Sequence, residues 1–339
     1  MPGSPANRFP GLLGFNSVRL FPILLATAAF AARPVPVIFD TDIGNDVDDA
    51  LALAVLHSLQ SRGEAQILAV TITKDNRYAA PFIDLVNTFY GRPDIPIGVV
   101  RGGKTPEDSA MMRMPAELRK PDGLFVYPHR LTDGSAIPDA TTVLRRALTA
   151  APDASVVVIQ VGFSTNLARL LASPDDRTLV ARKARLLSVM AGHFPQGAPE
   201  FNVKTDIPSA RQVFDEWPTP VVFSGFEIGQ ALPFPAQAVE HGFAWASNHP
   251  VADAYRAYRK MPYDRPTWDL TAALYAVRPA AGYFNLSPPG RVTVDDSGRT
   301  QFAESPQGRH RYLVLTEGQK VRTLEALILL ATEPRTPIP

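Results

Sequence analysis

The run Ser155-Val-Val-Val-Ile-Gln160 is apolar at every interior position, odd and even alike. A strand with one wet face alternates apolar and polar residues, so an unbroken run demands cover above and below. Similar short runs recur at Val35-Pro-Val-Ile-Phe39, Ile67 to Ile72, Ile97 to Val100, Leu186 to Met190 and Pro220-Val-Val-Phe223. Between them, Asp48 to Leu59, Ala80 to Tyr90 and Asn166 to Ala172 carry apolar residues at helical spacing. This alternation predicts an α/β fold: an open, mostly parallel sheet with helices on both faces and ligands at the C-terminal ends of the strands. Residues 101 to 135 and 230 to 266 are long and rich in Gly, Pro and aromatics, which reads as functional lids or rims. After Ser287, a turn at Asp295-Asp-Ser-Gly298 precedes a strand at Tyr312-Leu-Val-Leu315 and a closing helix over Leu324 to Ala331. The chain shows no internal repeat or low-complexity tract.

Between the first strand and the first helix stands Asp40-Thr-Asp42-Ile-Gly44-Asn-Asp46-Val-Asp48-Asp49. Asp42 falls just past the strand, on the rim where open α/β sheets bind ligands. Asp48 and Asp49 fall in the first helical turn, where free N–H groups and the helix dipole favour carboxylates. Gly44 permits the sharp turn that brings the ends of the segment together. Carboxylates this close repel one another unless a cation gathers them or they keep their protons. With oxygen ligands only, the expected ion is hard, calcium or magnesium. A solvated acidic loop with a helix cap at Asp46 or Asp48 explains one or two of these residues, but not their adjacency to a buried strand.

Three other motifs compete. No register of the segment supplies an EF-hand, which needs a glycine and a later glutamate at fixed positions. A phosphatase of the haloacid-dehalogenase type also places Asp-x-Asp after a first strand, with Asp40 as nucleophile. That pattern carries Thr or Val where Gly44 stands, and has no use for the Asp48-Asp49 pair. Gly98-Val-Val-Arg-Gly-Gly103-Lys104-Thr105 matches the P-loop expression, but Gly98 lies within a strand, and Pro106 and Pro115 disrupt the helix that should follow.

Bulk properties narrow the class. Over 339 residues the formal charge is +1, which argues against a general nucleic-acid binder. The chain has no cysteine, so disulfides, zinc thiolates and thiol nucleophiles are excluded. Near the N-terminus, Arg8 and Arg19 precede the apolar stretch Leu20 to Phe30, and Ala29-Phe30-Ala31 forms a small-x-small cleavage pattern. This reads as a secretory signal peptide over residues 1–31, too short in its apolar part to span a bilayer. The mature chain, residues 32–339, is then a single catalytic domain, periplasmic or secreted.

The aspartate cluster resembles the N-terminal signature of the inosine-uridine-preferring nucleoside hydrolases, Asp-x-Asp-x-Gly-x-Asp-Asp-Ala-x-Ala-Leu, with two extra residues before Asp48-Asp49. Gly162-Phe-Ser-Thr165-Asn166-Leu-Ala is similar to the family's Gly-x-x-Thr-Asn-x-Ala segment. Glu200-Phe201-Asn202 with Asp206-Ile-Pro-Ser-Ala210 resembles its Glu-Phe-Asn and Asp-Pro-Glu-Ala segments. Trp268-Asp269-Leu-Thr-Ala resembles its His-Asp-Pro-x-Ala piece.

The resemblance implies a nucleoside-hydrolase-like fold and calcium-dependent hydrolysis of ribonucleosides to free base and ribose. Its calcium ligands would be Asp42, Asp49, the main-chain carbonyl of Thr165, and Asp269. Asp48, Asn76, Glu200 and Asn202 would hold the ribose, with Asp40 and Asp46 in support. Asp42, touching ion and water, would be the general base. The resemblance also implies a homodimer or homotetramer. Trp268 stands where many members have histidine; it can stack on a base but cannot donate a proton near neutral pH. His241, His249 and Tyr263 are the replacements the sequence offers. An exported sugar- or nucleoside-binding protein that keeps the metal site without the acid is the remaining alternative. Mass spectrometry of the chain after export should find an N-terminus at Ala32; an uncleaved chain would refute the signal-peptide reading.

Overall fold

Residue 3 and residues 33–133 and 136–335 are described by the computed structural model. Gly3 aside, the expected signal peptide lies outside the described residues. The first half of the chain alternates as its hydrophobic pattern requires. It runs β1 (Val35–Thr41), α1 (Asp48–Ser61), β2 (Ala65–Lys74), α2 (Ala79–Phe89), β3 (Ile97–Lys104), α3 (Ala110–Glu117) and α4 (Ala140–Ala150). Then come β4 (Val156–Gln160), α5 (Thr165–Leu171), α6 (Pro174–Lys183), β5 (Ala184–Met190), α7 (Phe201–Thr205), α8 (Ile207–Glu216) and β6 (Val221–Ser224). The remainder is α9 (Phe226–Gln230), β7 (Pro233–Phe234), α10 (Ala236–Gly242), α11 (Pro250–Tyr258), β8 (Arg265–Pro266) and α12 (Trp268–Val277). β9 (Asn285–Leu286), β10 (Gly290–Val294), β11 (Thr300–Glu304), β12 (His310–Val314) and α13 (Glu317–Thr332) close the chain.

The main sheet has ten strands in the order β11-β10-β12-β6-β5-β4-β1-β2-β3, with β9 paired to β12. From β12 to β3 every neighbour is parallel, and β10 and β11 add an antiparallel edge. The chain proceeds outward from β1 to β2 and β3, then restarts at β4 on the other side of β1. That reversal makes the β1/β4 seam the switch point of the sheet, with a crevice at its carboxyl end.

Successive side chains of the central strands go to opposite layers, each dry. Val37, Phe39, Val157 and Ile159 join one core with α1, α2 and α12, while Ile38, Val156 and Val158 join the other with α4, α5 and α8. The all-apolar β4 therefore follows from cover on both faces. Helix α1 is enclosed by the sheet, α12 and α13, and its residues Asp48 through Leu59 are all buried. Such a helix is apolar all round, not amphipathic.

The stretch predicted as a rim over residues 101–135 contains α3, and the second, 230–266, holds α10, α11 and the antiparallel pair β7–β8. The P-loop lookalike is β3 itself, a strand and not a phosphate loop opening a helix. The closing helix begins earlier than its apolar pattern shows, because Thr316 and Gln319 form a capping box.

Gly44 turns the aspartate loop with φ +105°, and a Cβ built there would lie 2.3 Å from Met112 Cε. Gly44→Ala should lower the urea midpoint by the equivalent of about 1–3 kcal/mol through backbone strain and overpacking, with an unchanged denaturant slope. An unshifted midpoint would mean that the loop tolerates a different turn.

Candidate active site

Four strand ends meet at the crevice. Asp42 follows β1, Val161 follows β4, Met190 ends β5, and Phe226 follows β6; all four line one cavity of 330 Å³. That volume suits a small ligand of nucleoside size. A larger cavity of 740 Å³ lies near Pro36, Gln66, Pro96 and Pro152, at the opposite ends of the strands, and holds nothing of the aspartate loop.

The first wall is the aspartate loop. Thr41 donates its hydroxyl to Asp49, and Asn45 Nδ2 donates to Asp42 Oδ2 at 2.7 Å. Lys74 Nζ donates to Asn45 Oδ1 at 2.9 Å and to the carbonyl of Thr105 at 2.6 Å. Asp48 Oδ2 accepts from the main-chain N–H of Asp269 at 3.1 Å, joining the first turns of α1 and α12. Arg265 Nη2 lies 2.7 Å from Asp46, and its Nε lies 3.9 Å from Asp48. Asn45 and Asp46 thus account for the loop's extra length: one braces Asp42 and the other draws in Arg265.

This wall is electrostatically tense. Burial pushes Asp42 up to about 7, with repulsion from Asp46 and Glu200 adding and the Asn45 hydrogen bond opposing. Asp48, Asp49 and Asp269 are each held well above the usual carboxylate range, first by burial and then by repulsion among themselves and from Asp42 and Asp46. Oxygens of Asp46, Asp48 and Asp269 lie within 4.8 Å of one another, and the buried Asp48 Oδ1 has no hydrogen-bond partner, only the Arg265 Nε at 3.9 Å. An orphaned buried oxygen among crowded, oxygen-only donors fits a hard divalent cation.

Asp40 is also fully buried but does not line the cavity: its Oδ1 accepts from Thr71 Oγ1 at 2.6 Å and Asn166 Nδ2 at 2.8 Å, while its Oδ2 has no hydrogen-bond partner among the described residues. That placement offers a phosphatase nucleophile no substrate position in the cavity.

The second wall starts at Glu200, the N-cap of α7. Its carboxylate accepts from the N–H groups of Asn202 at 2.8 Å and of Val203 and Gly192 at 3.2 Å. Burial pushes it up to about 7, against the pull of those bonds. Asn202 Nδ2 donates to the carbonyls of Val161 at 2.7 Å and Met190 at 3.2 Å, tying the ends of β4 and β5.

The third wall is aromatic. Trp268 Nε1 donates to the Phe226 carbonyl at 2.9 Å, and the two rings stack with centroids 5.3 Å apart. Arg265 lies 4.9 Å from the Trp268 ring centre.

Asp42, Glu200, Asn202, Trp268 and Asp269 therefore share one cavity, with Asp48 and Asp49 buried behind. Thr165 is buried at the start of α5, its hydroxyl donating to Asp206. Asn76 is not brought to this cavity. Its amide is committed to Pro106 and Asp108, and it lines a separate 270 Å³ cavity with Lys74 and Arg77. Sequence reasoning missed Arg265, Phe226 and His193, all on the cavity wall. The only sequence signal is their proximity to Trp268, Glu200 and the end of β6. None of the three suggested acids lines it. His241 is exposed, His249 is boxed by Phe89, Phe243 and Trp245 and lowered to about 3 by burial, and Tyr263 donates to the Tyr255 carbonyl.

Residues 37–327 match the model of the inosine-uridine preferring nucleoside hydrolase family. The chain belongs to that family. It is thus a nucleoside N-glycosyl hydrolase, and solved structures share its fold. A plant nucleoside hydrolase, PpNRh1, aligns with TM-score 0.64 at 22% identity, over 89% of this chain and 100% of that one. The inosine-uridine preferring nucleoside hydrolase from Bacillus anthracis aligns with TM-score 0.66 at 18% identity, over 88% and 99%. The type III effector XopQ, solved with adenosine diphosphate ribose, aligns with TM-score 0.64 at 18% identity, over 89% and 94%. At these identities the likeness speaks for the fold alone. A search among curated proteins finds no match.

The raised carboxylates give this nucleoside hydrolase a signed pH dependence. Asp40, Asp42 and Glu200 titrate near 7 when folded and near 4 when unfolded, so between those values the folded chain holds more protons. Buried His57 and His249, lowered to about 3, and His310, lowered to about 4, oppose this below about 6.5. With chelator present, Tm should therefore fall most plainly as pH rises from about 6.5 to about 8. A flat or rising Tm would show that the carboxylates ionise in the fold without cost.

Proposed function

We propose that this nucleoside hydrolase cleaves ribonucleosides to free base and ribose in the cavity at the β1/β4 seam, with calcium as its ion. The observation that carries the reading is the convergence of Asp42, Asp269, Glu200, Asn202 and Trp268 on one 330 Å³ space. Asp42, Asp49, Asp269 and the Thr165 carbonyl would hold the cation, with Asp46 and Asp48 alongside. When bound, the ion supplies a flexible oxygen coordination sphere that orients a water and two sugar hydroxyls.

The chain's own groups do the rest. Asp42 takes a proton from the attacking water; Asn45, which donates to its Oδ2, fixes the carboxylate's direction. Positive charge develops at the anomeric carbon as the glycosidic bond breaks, and the fixed carboxylates stabilise it. Asn202 would hold a ribose hydroxyl through its side-chain carbonyl oxygen, its Nδ2 being tied to Val161 and Met190, with Glu200 fixing the loop that carries it. Asp48, buried behind the wall, would act on the sugar side from beneath. Trp268 and Phe226 provide a stacking surface for the departing base. Export with loss of residues 1–31, and assembly as a homodimer or homotetramer, complete the proposal; light scattering on the mature chain tests the latter.

The test is a screen of purine, pyrimidine and nitrophenyl ribosides for free sugar, with and without chelator. Activity should vanish with chelator and return with calcium. Asp42→Asn should lower kcat by about 10²–10⁴-fold, and Asp49→Ala should abolish calcium binding measured by calorimetry. Purified protein that holds no ion, together with an Asp49→Ala variant of undiminished activity, would refute the mechanism.

A further inference from the structure

Breaking an N-glycosidic bond requires something to accept the electron pair on the leaving nitrogen. Trp268 does not meet that need, since its only N–H is spent on the Phe226 carbonyl. His241, His249 and Tyr263 lie elsewhere. The remaining wall of the cavity, between β5 and Glu200, carries His193.

Four observations single out this side chain. It lines the cavity that holds Asp42 and Trp268, and it is half-buried. Its ring centroid is 5.4 Å from that of Phe226, which stacks in turn on Trp268, so it ends the row of rings on the aromatic side. Its backbone is clamped: the His193 N–H donates to Thr300 Oγ1 at 3.0 Å, and that hydroxyl donates to the His193 carbonyl at 3.4 Å. Gly197 packs so closely on the ring that a Cβ there would lie 2.0 Å from Nδ1. By contrast with this fixed placement, neither ring nitrogen has a hydrogen-bond partner among the described residues. An imidazole that is positioned yet unpartnered, in a ligand cavity, is free to exchange a proton with whatever occupies it.

We propose that His193 is the general acid that protonates the leaving base. The assignment rests on the ribonucleoside-hydrolase reading of the cavity. In the step, the bond from the anomeric carbon to the base nitrogen breaks and its electron pair stays with the base. A proton passes from the His193 imidazolium to a base ring nitrogen, so the base leaves neutral. Water adds its hydroxyl to the anomeric carbon and gives its proton to Asp42. Solvent then returns that proton from Asp42 to His193, and one water has been consumed per bond broken. Aspartates on the sugar side and an imidazole on the base side thus divide base and acid between two different segments of the cavity lining.

The experiment compares two ribosides on the calcium-loaded enzyme: inosine, whose base needs a proton to leave, and p-nitrophenyl riboside, whose phenolate leaves without one. His193→Gln should lower kcat/KM for inosine by about 100-fold or more, and raise the nitrophenyl-to-inosine ratio by a similar factor. Gly197→Ala, which displaces the ring while keeping it, should shift the ratio in the same direction. Equal losses on both substrates, or no loss on inosine, would overturn the assignment while leaving the hydrolase reading intact. A wild-type enzyme inactive on both substrates would overturn both.

Discussion

The architecture turns on one electrostatic problem, the burial of several carboxylates within a few ångströms of one another. Burial and repulsion both raise the cost of charging Asp42, Asp48, Asp49 and Asp269, and the fold concentrates its polar resources there. Thr41 donates to Asp49, Asn45 to Asp42, and the Asp269 N–H to Asp48, while Arg265 faces Asp46 and Asp48. These contacts offset part of the cost and leave Asp48 Oδ1 without a hydrogen bond. A divalent cation is the natural remainder of that account.

Precision comes from the sheet. β1 and β4 are hydrogen-bonded neighbours whose side chains are locked in two dry cores, so the residues just past their ends have little freedom. α1 and α12 are buried almost throughout, and both begin at the cavity with aspartates in the first turn. Their N-termini lack side-chain caps. The carboxylates therefore sit where free N–H groups and the helix dipole favour negative charge.

Much of this was legible in the sequence. Unbroken apolar runs at β1 and β4 revealed a sheet covered on both faces, and aspartates just after a strand pointed to its rim. The cavity's acidic wall, with Glu200, Asn202 and Trp268, followed from motif resemblance. What stayed hidden depended on distance along the chain. Arg265 faces Asp46 only because β8 pairs with β7 and α12 docks on α1, contacts without a local signature. His193 lies in no recognisable motif: the family pattern puts a histidine just before Asp269, whereas here the aromatic wall is supplied by segments following β5 and β6. Asn76 shows the opposite failure: a residue at the correct strand end whose amide is consumed by Pro106 and Asp108. Thr41, Asn45 and Lys74 were likewise invisible as supports, since only the fold reveals what they touch.

Trp268 and Asp269 are consecutive residues in the first turn of α12, yet on the proposed reading they would serve opposite ends of the scissile bond. Any rotation or sliding of that helix moves the base platform and a carboxylate of the acidic wall together. Selectivity for the base and affinity for an ion would then share one rigid lever. A redesign that reshapes the base pocket through α12 would have to retune the acidic wall in the same stroke.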